Sequence, residues 1–205
     1  MDSTVICADG VRRCKWAASS DAFIKYHDEE WGVPQADDCV LYEKLCLEAF
    51  QSGLSWRTIL EKRDNFRHAF DGFDFTKVKD YGAPDVARLM ADSGIIRHKG
   101  KILATIHNAA RMIDCIEEFG SFAAFVWGFE PVLGEDFVPQ SVAVSDASIA
   151  LAKALKKRGW KFVGPTTVYA FMQAMGLVND HATTCTRRPI VEELRRNFIR
   201  PQFTK

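Results

Sequence analysis

A mainly all-α fold is what this sequence predicts, and three observations predict it. Apolar residues recur at spacings of three and four along much of the chain. The segments with this spacing open on Pro, Ser or Asp and close on Gly, as helix ends favour. Strand-like runs are few: Thr4–Ala8, Val142–Val144 and Trp160–Val163.

In chain order, the spacing first predicts a helix over about 38–52, carrying Leu41, Tyr42, Leu45, Cys46, Ala49 and Phe50. Pro84 and Asp85 open another, with Val86, Leu89 and Met90 inward and Gly94 as its stop. A long helix follows from about Lys99 to Phe119. Ile102, Ile106, Ala110 and Ile113 share one face, and Gly120 ends it. Ser145 and Asp146 form an N-cap region for Ile149, Ala152 and Leu155, and Gly159 stops that helix. Pro165 and Thr166 open the next, with Val168, Phe171, Met172 and Met175 inward and Gly176 at its end. No repeat, low-complexity tract or linker interrupts the pattern, so one domain is expected.

Composition bounds the function classes. A chain of 205 residues is about one domain. At that size roughly 70% of the unfolded surface is buried, and no disulfides are needed. Hydrophobic residues make up 47% and charged residues 26%, which excludes wholesale disorder. Lys and Arg number 27 and Asp and Glu 27. With zero net charge, any nucleic-acid partner must be read from local patches. No run approaches the roughly 20 apolar residues of a membrane span, and residues 1–20 lack a signal-peptide core. A cytoplasmic protein is therefore expected. Six cysteines, at 7, 14, 39, 46, 115 and 185, include no Cys-x-x-Cys pair. In a reducing compartment they argue against a disulfide framework.

Three constellations carry chemistry. Gly94-Ile-Ile-Arg97-His-Lys99-Gly100-Lys101 lies between two helical segments. A helix N-terminus with basic residues suits a phosphate, as in a helix-hairpin-helix clamp; a plain turn with solvated lysines fits the spacing equally. His181 and Cys185 sit four apart, a spacing that suits tetrahedral zinc. Cys14 and His27 are candidate further ligands, and His68, His98 and His107 are equally available by spacing. Aromatics crowd the first third: Trp16, Phe23, Tyr26, Trp31, Phe50 and Trp56. Most belong to a core, or two of them stack a flat ligand. Glu48 lies at the edge of an apolar stripe, either as a surface carboxylate near Lys44 or as a half-buried group favouring a cationic ligand.

Eight ordered stretches carry a resemblance. They are Cys14-Lys-Trp16, Tyr26-His-Asp-Glu-Glu-Trp-Gly-Val-Pro34, Cys46-Leu-Glu48, Gly53-Leu-Ser-Trp56, Gly94 to Lys101, Ala154 to Gly159, Lys161 to Gly164 and Gly176-Leu-Val-Asn-Asp-His181. Together they cover about residues 14–185, and the chain resembles bacterial DNA-3-methyladenine glycosylase I. The resemblance implies a helix-hairpin-helix glycosylase fold over 14–186, with extensions at 1–13 and 187–205. It implies one structural zinc on Cys14, His27, His181 and Cys185, joining the two chain ends, and no organic cofactor. It implies a base pocket of Tyr26, Glu48, Trp56 and Trp16, with Glu48 the catalytic candidate. Gly53 and Leu54 would enter the gap left by a flipped nucleotide. Gly94, Arg97, Lys99, Gly100 and Lys101 would contact DNA.

The activity implied is a monofunctional hydrolase removing 3-methyladenine from alkylated double-stranded DNA, releasing the free base. A monomer is expected. Ala49 and Phe50 depart from the family pattern, so a change in pocket size is expected. The segment from Lys101 to Asp114 offers no acid before Asp114, and the general base stays unassigned. A zinc deaminase would need a downstream Pro-Cys-x-x-Cys, which is missing here. A non-catalytic DNA-binding module of the same fold is the rival reading, and a bare zinc scaffold a third. Whether the basic tail, with Arg187, Arg188, Arg195, Arg196, Arg200 and Lys205, is a surface helix or touches phosphate is open from sequence.

Overall fold

The chain begins with a small hairpin. In the computed structural model, which describes residues 3–134 and 136–203, β1 (Thr4–Ile6) pairs antiparallel with β2 (Arg12–Cys14). Lys205 of the basic tail and the first two residues of the 1–13 segment lie outside the described residues. The expected strand at Thr4–Ala8 thus forms over three residues. Its partner is not foreseen because Arg12-Arg13-Cys14 has no apolar alternation. Arg13 is buried there by a bidentate grip on Asp9 and further bonds to Asp28.

The other two expected strands do not form. At Trp160–Val163 the backbone is satisfied by a side chain rather than a neighbouring strand. Asn108 donates to the Lys161 carbonyl at 2.9 Å and accepts from its N–H at 2.9 Å. Phe162 sits at φ 57, incompatible with extended backbone.

Among the described residues the other regular elements are helices, joined by loops. A 3₁₀ turn at Lys15–Ser19 leads to α1 (Asp21–Glu29) and α2 (Asp38–Gln51). Then come α3 (Trp56–Glu61), α4 (Arg63–Ala69), α5 (Phe75–Val78) and α6 (Ala83–Ala91). The second half holds α7 (Lys99–Phe119), α8 (Phe122–Trp127), α9 (Asp146–Lys157), α10 (Pro165–Ala174) and α11 (Arg187–Asn197). No helix is long and apolar enough to cross a membrane among the described residues.

The capping signals place the helices well. Ser145 accepts from Ser148 N–H at the start of α9, and Pro165 opens α10. Gly159 and Gly176 follow α9 and α10 at φ +84 and +80, the left-handed geometry that ends a helix. Gly176 could carry no side chain, since a Cβ there would lie 2.5 Å from the Pro34 nitrogen. The helix expected to stop at Gly94 ends instead at Ala91.

Helix faces are less faithful to the pattern. On α7 the inward face is Ile102, Thr105, Ala109 and Met112, while Ile106, Ala110 and Ile113 are only half-buried. The stripe turns because α7 packs against α2, α5, α6 and α8, and buried Thr105 and Asn108 find carbonyl partners. On α9, Ile149 points outward, 48% exposed.

The tail is docked. On α11, Val191 is fully buried, and Arg195 is ion-paired with Glu130 at 2.8 Å and donates to the Gly176 carbonyl. Arg200 reaches the same Glu130 at 2.9 Å, and Arg188 donates to the Asn179 and His181 carbonyls. The surface-helix reading of this segment holds, and three of its cations are committed to the protein.

Candidate active site

Two neighbouring constructions share α1, which supplies His27 to one and Tyr26 to the other. The first is a buried Cys₂His₂ cluster. Cys14 ends β2, His27 lies in the last turn of α1, and His181 and Cys185 lie in the loop after α10. Their four ligand atoms lie within 4.8 Å of one another. His181 Nδ1 is 3.2 Å from His27 Nε2 and 3.8 Å from Cys14 Sγ, and Cys185 Sγ is 3.5 Å from His27 Nε2. Tetrahedral zinc, with bonds of about 2.0–2.3 Å, sets such atoms roughly 3.3–3.8 Å apart. The remaining ring nitrogens are oriented from outside, as metal ligands require. His27 Nδ1 meets Asp28 Oδ1 at 2.7 Å, and His181 Nε2 meets the Trp31 carbonyl at 3.0 Å. Cys14 Sγ accepts from the Ala182 N–H and the Gln140 amide.

The thiols point the same way. With protons alone between them, hydrogen bonding to Cys185 and burial push the Cys14 thiol up. The hydrogen bond from Cys14, aided by His181 and His27, pulls Cys185 down. A cation among the four atoms removes that conflict by favouring both thiolates. The donor set and spacing fit a metal. His68, His98 and His107 are not part of this cluster.

The second construction is a cavity of about 240 Å³. Trp16 of the 3₁₀ turn, Tyr26 of α1, Glu48 of α2 and Trp56 of α3 all line it, so the four expected pocket residues converge. Phe23, Gln51 and Gln173, which the sequence reading did not assign, line it as well. Tyr26 and Trp56 are 5.3 Å apart between ring centroids, and Trp16 stands edge-on to Trp31 at 5.0 Å. The Trp56 indole N–H is buried and has no protein acceptor. This is a small, flat-walled aromatic slot, sized for one heterocycle.

Glu48 is neither a surface group nor a lone carboxylate. It is 6% exposed and paired with Lys44 Nζ at 2.7 Å, one turn earlier on α2. Lys44 is itself 5% exposed, donates to the Tyr26 hydroxyl at 2.7 Å and lies 3.5 Å from the Trp56 ring centroid. Burial pulls its ammonium below the ordinary lysine range, with Glu48 opposing. Burial and the neighbouring Glu48 push the Tyr26 phenol well up, so it stays protonated. Sequence leaves Glu48 open between a surface carboxylate near Lys44 and a half-buried one, and the structure buries it with Lys44 as its partner.

The Phe50 departure leaves the slot untouched. Its ring is fully buried on the other side of α2, 4.6 Å from Phe66. Asp114 does not line the slot and pairs with Arg111 at the surface.

At the cavity mouth a second depression shares Glu48, Gln51 and Ala170 with the first and adds Gly53 and Leu54. Gly53 takes φ +81, and Leu54 projects with 43% exposure. On the turn between α6 and α7, Arg97, Lys99 and Gly100 are exposed and His98 caps α7. Lys101 departs from expectation. It is 6% exposed, and its ammonium donates to the Phe50 and Ser52 carbonyls at 2.9 and 2.6 Å. It closes the end of α2 and offers no charge to a phosphate. Gly94 is half-buried behind Asp92 and Asn65.

A family model described as methyladenine glycosylase matches residues 16–188. The chain belongs to that family. DNA-3-methyladenine glycosylase 1 of Escherichia coli (strain K12) is 48% identical over 185 residues, covering 87% of this chain and 98% of its own. The DNA-3-methyladenine glycosylase of Haemophilus influenzae is 45% identical, covering 84% and 96%. A crystal structure of 3-methyladenine DNA glycosylase I superposes with a TM-score of 0.80 at 48% identity, covering 85% of this chain and 98% of that one. A structure addressing 3-methyladenine recognition by the Staphylococcus aureus glycosylase gives 0.81 at 34% identity, covering 86% and 96%. The aromatic slot is an open cavity, whereas the Cys₂His₂ cluster is buried. Four protein donors leave a metal no open position.

Proposed function

We propose that this methyladenine glycosylase removes 3-methyladenine from alkylated double-stranded DNA as a monofunctional hydrolase. One observation carries the reading: in a chain of this family, Tyr26, Trp56 and Trp16 wall a slot with Glu48 at its edge. Methylation at N3 leaves the DNA-linked adenine cationic. Cleavage of its bond to C1′ sends the electron pair to the base, which departs neutral. The oxocarbenium-like sugar takes up water, which loses a proton. Because the leaving base needs no protonation, no strong general acid is required, and Glu48 is the acid residue lining the slot.

The protein's work is to extrude and hold the base. Extrusion costs a few kcal/mol, less for a damaged and poorly stacked base. Leu54, exposed at the mouth, fills the gap in the duplex, with Gly53 supplying the turn. Tyr26, Trp56 and Trp16 offer stacking surfaces, worth about 1–3 kcal/mol per base. Glu48 accepts a hydrogen bond from the exocyclic amine. The α6–α7 turn acts as a helix-hairpin-helix clamp, with Arg97, Lys99, Gly100 and the N-terminus of α7 toward a phosphate.

Cys14, His27, His181 and Cys185 would hold one structural zinc, which would tie β2 and α1 to the loop after α10. When bound, its chemistry is cross-linking, since its ligands are all from the protein. A cytoplasmic monomer acting on the nucleoid fits the sequence. Chromatography of bases released from methylated DNA tests the function. Release of 3-methyladenine supports it, and DNA binding without release favours the non-catalytic module.

A further inference from the structure

The base slot has an unusual back wall. Three of the residues that line it, Tyr26, Glu48 and Trp56, are each held by one buried ammonium that does not itself line the slot. Lys44 Nζ is 2.7 Å from the Glu48 carboxylate, 2.7 Å from the Tyr26 hydroxyl, and 3.5 and 4.9 Å from the Trp56 and Tyr26 ring centroids. These are the contacts a cationic base would seek: a carboxylate and aromatic faces. A cation of the protein already has them.

Other charges do not change the balance. Beyond Glu48, the nearest charged groups acting on Lys44 are Arg63 and Glu30. They pair with each other at 2.5 Å. The slot's back wall therefore holds one carboxylate and one ammonium, with no net charge to offer.

Resting on the glycosylase reading, we propose that Lys44 is a specificity-determining positioning residue that neutralises Glu48 behind the slot, so that the pocket selects purines by shape and stacking more than by charge. A base stacked on Trp56 lies within about 7 Å of the ammonium, the 3.5 Å from Nζ to ring plus one stacking distance of about 3.5 Å. At an effective dielectric of about 20, a unit charge at that range changes the affinity of a cationic ligand by at least about tenfold and leaves a neutral one nearly unaffected. Two consequences follow. The DNA-linked cationic base gains no net electrostatic attraction from the Lys44–Glu48 pair, and the neutral product loses none when the bond breaks. Uncharged altered purines also become acceptable ligands of this pocket, where a lone carboxylate would disfavour them.

The test compares two probes at mildly alkaline pH by calorimetry. One is 3-methyladenine, which is neutral there. The other is the 3,9-dimethyladenine cation, whose two N-alkyl groups fix a positive charge. The readout is the ratio of their dissociation constants in the wild type and in Lys44→Met, Lys44→Gln and Lys44→Arg. Melting curves confirm that each variant is folded, and Lys44→Gln keeps a donor to Tyr26 should Lys44→Met fail to fold. The uncharged variants are expected to shift the ratio toward the cation by at least about tenfold, with Lys44→Arg near wild type. A ratio within about twofold of wild type in a folded uncharged variant overturns the proposal. A wild-type protein that binds neither probe overturns the base-pocket reading instead.

Discussion

Glu48→Gln removes one charge from the slot and keeps its shape. The structure makes this a test of stability as well as of activity. The substitution strands a Lys44 ammonium that is 5% exposed. Breaking a buried ion pair from one side costs about 3–5 kcal/mol. The Tyr26 hydroxyl and the Trp56 ring remain, and the glutamine oxygen still accepts one hydrogen bond. Together these offset about 1–2 kcal/mol. The expected loss is about 2–3 kcal/mol, or roughly 4–12 °C in Tm for a chain of this length. Removing both partners in Lys44→Met/Glu48→Gln should recover most of it, to within about 1 kcal/mol of wild type, because no buried charge is left alone. Excision by Glu48→Gln should fall by at least about tenfold, a barrier change of about 1.4 kcal/mol, with metal content unchanged. Denaturant unfolding of the two single variants and the double variant, with base release measured in parallel, supplies the assay. A Glu48→Gln protein as stable as wild type, or a double variant less stable than either single one, would refute the buried-pair account. Wild-type excision in Glu48→Gln would remove Glu48 from base recognition.

The other predictions concern separate parts of the fold. Elemental analysis of native protein should find about one zinc per chain, and Cys185→Ser should lower both metal content and Tm, since metal binding here is folding free energy; protein free of metal rejects the zinc assignment. Lys99→Glu or Gly100→Asp should weaken binding to DNA of any sequence and reduce the salt slope by about one. Lys101→Ala should instead lower stability and leave that slope alone, because its ammonium is bonded to the Phe50 and Ser52 carbonyls. Glu130→Ala should loosen α11 and cost about 3–5 kcal/mol, since it leaves the buried Arg195 without its carboxylate; unchanged unfolding would show the tail to be dispensable. Burial lowers the Lys44 pKa from 10.5, so the folded chain gives up that proton at lower pH than the unfolded one. The group's stability contribution is therefore full above 10.5 and lost as pH falls through the lowered value. The stability difference between wild type and Lys44→Met should accordingly change across that alkaline window, and a constant difference argues against a perturbed lysine.

What the sequence alone determined is what short-range physics decides. The long helix from Lys99 to Phe119, the Ser145 cap and the Pro165 start depend on backbone groups within about four residues, so composition and spacing reveal them. The ordered stretches from Cys14 to His181 were enough to suggest the family, its pocket residues and its four metal-ligand candidates. Only the tertiary structure decided which histidines meet which cysteines, since Cys14 and His181 are 167 residues apart and spacing favoured no partner. It also decided the fate of the lysines. Lys44 and Lys101 look like solvated surface cations in sequence, as Lys99 does. An ammonium stays exposed or turns inward according to the carbonyls, carboxylates and rings that other segments bring to it. For Lys44 these come from α1, α2 and α3 together, and for Lys101 from the end of α2. The same dependence rotated the buried face of α7 and exposed Ile149: periodicity names a face, and the packing partners choose where it points.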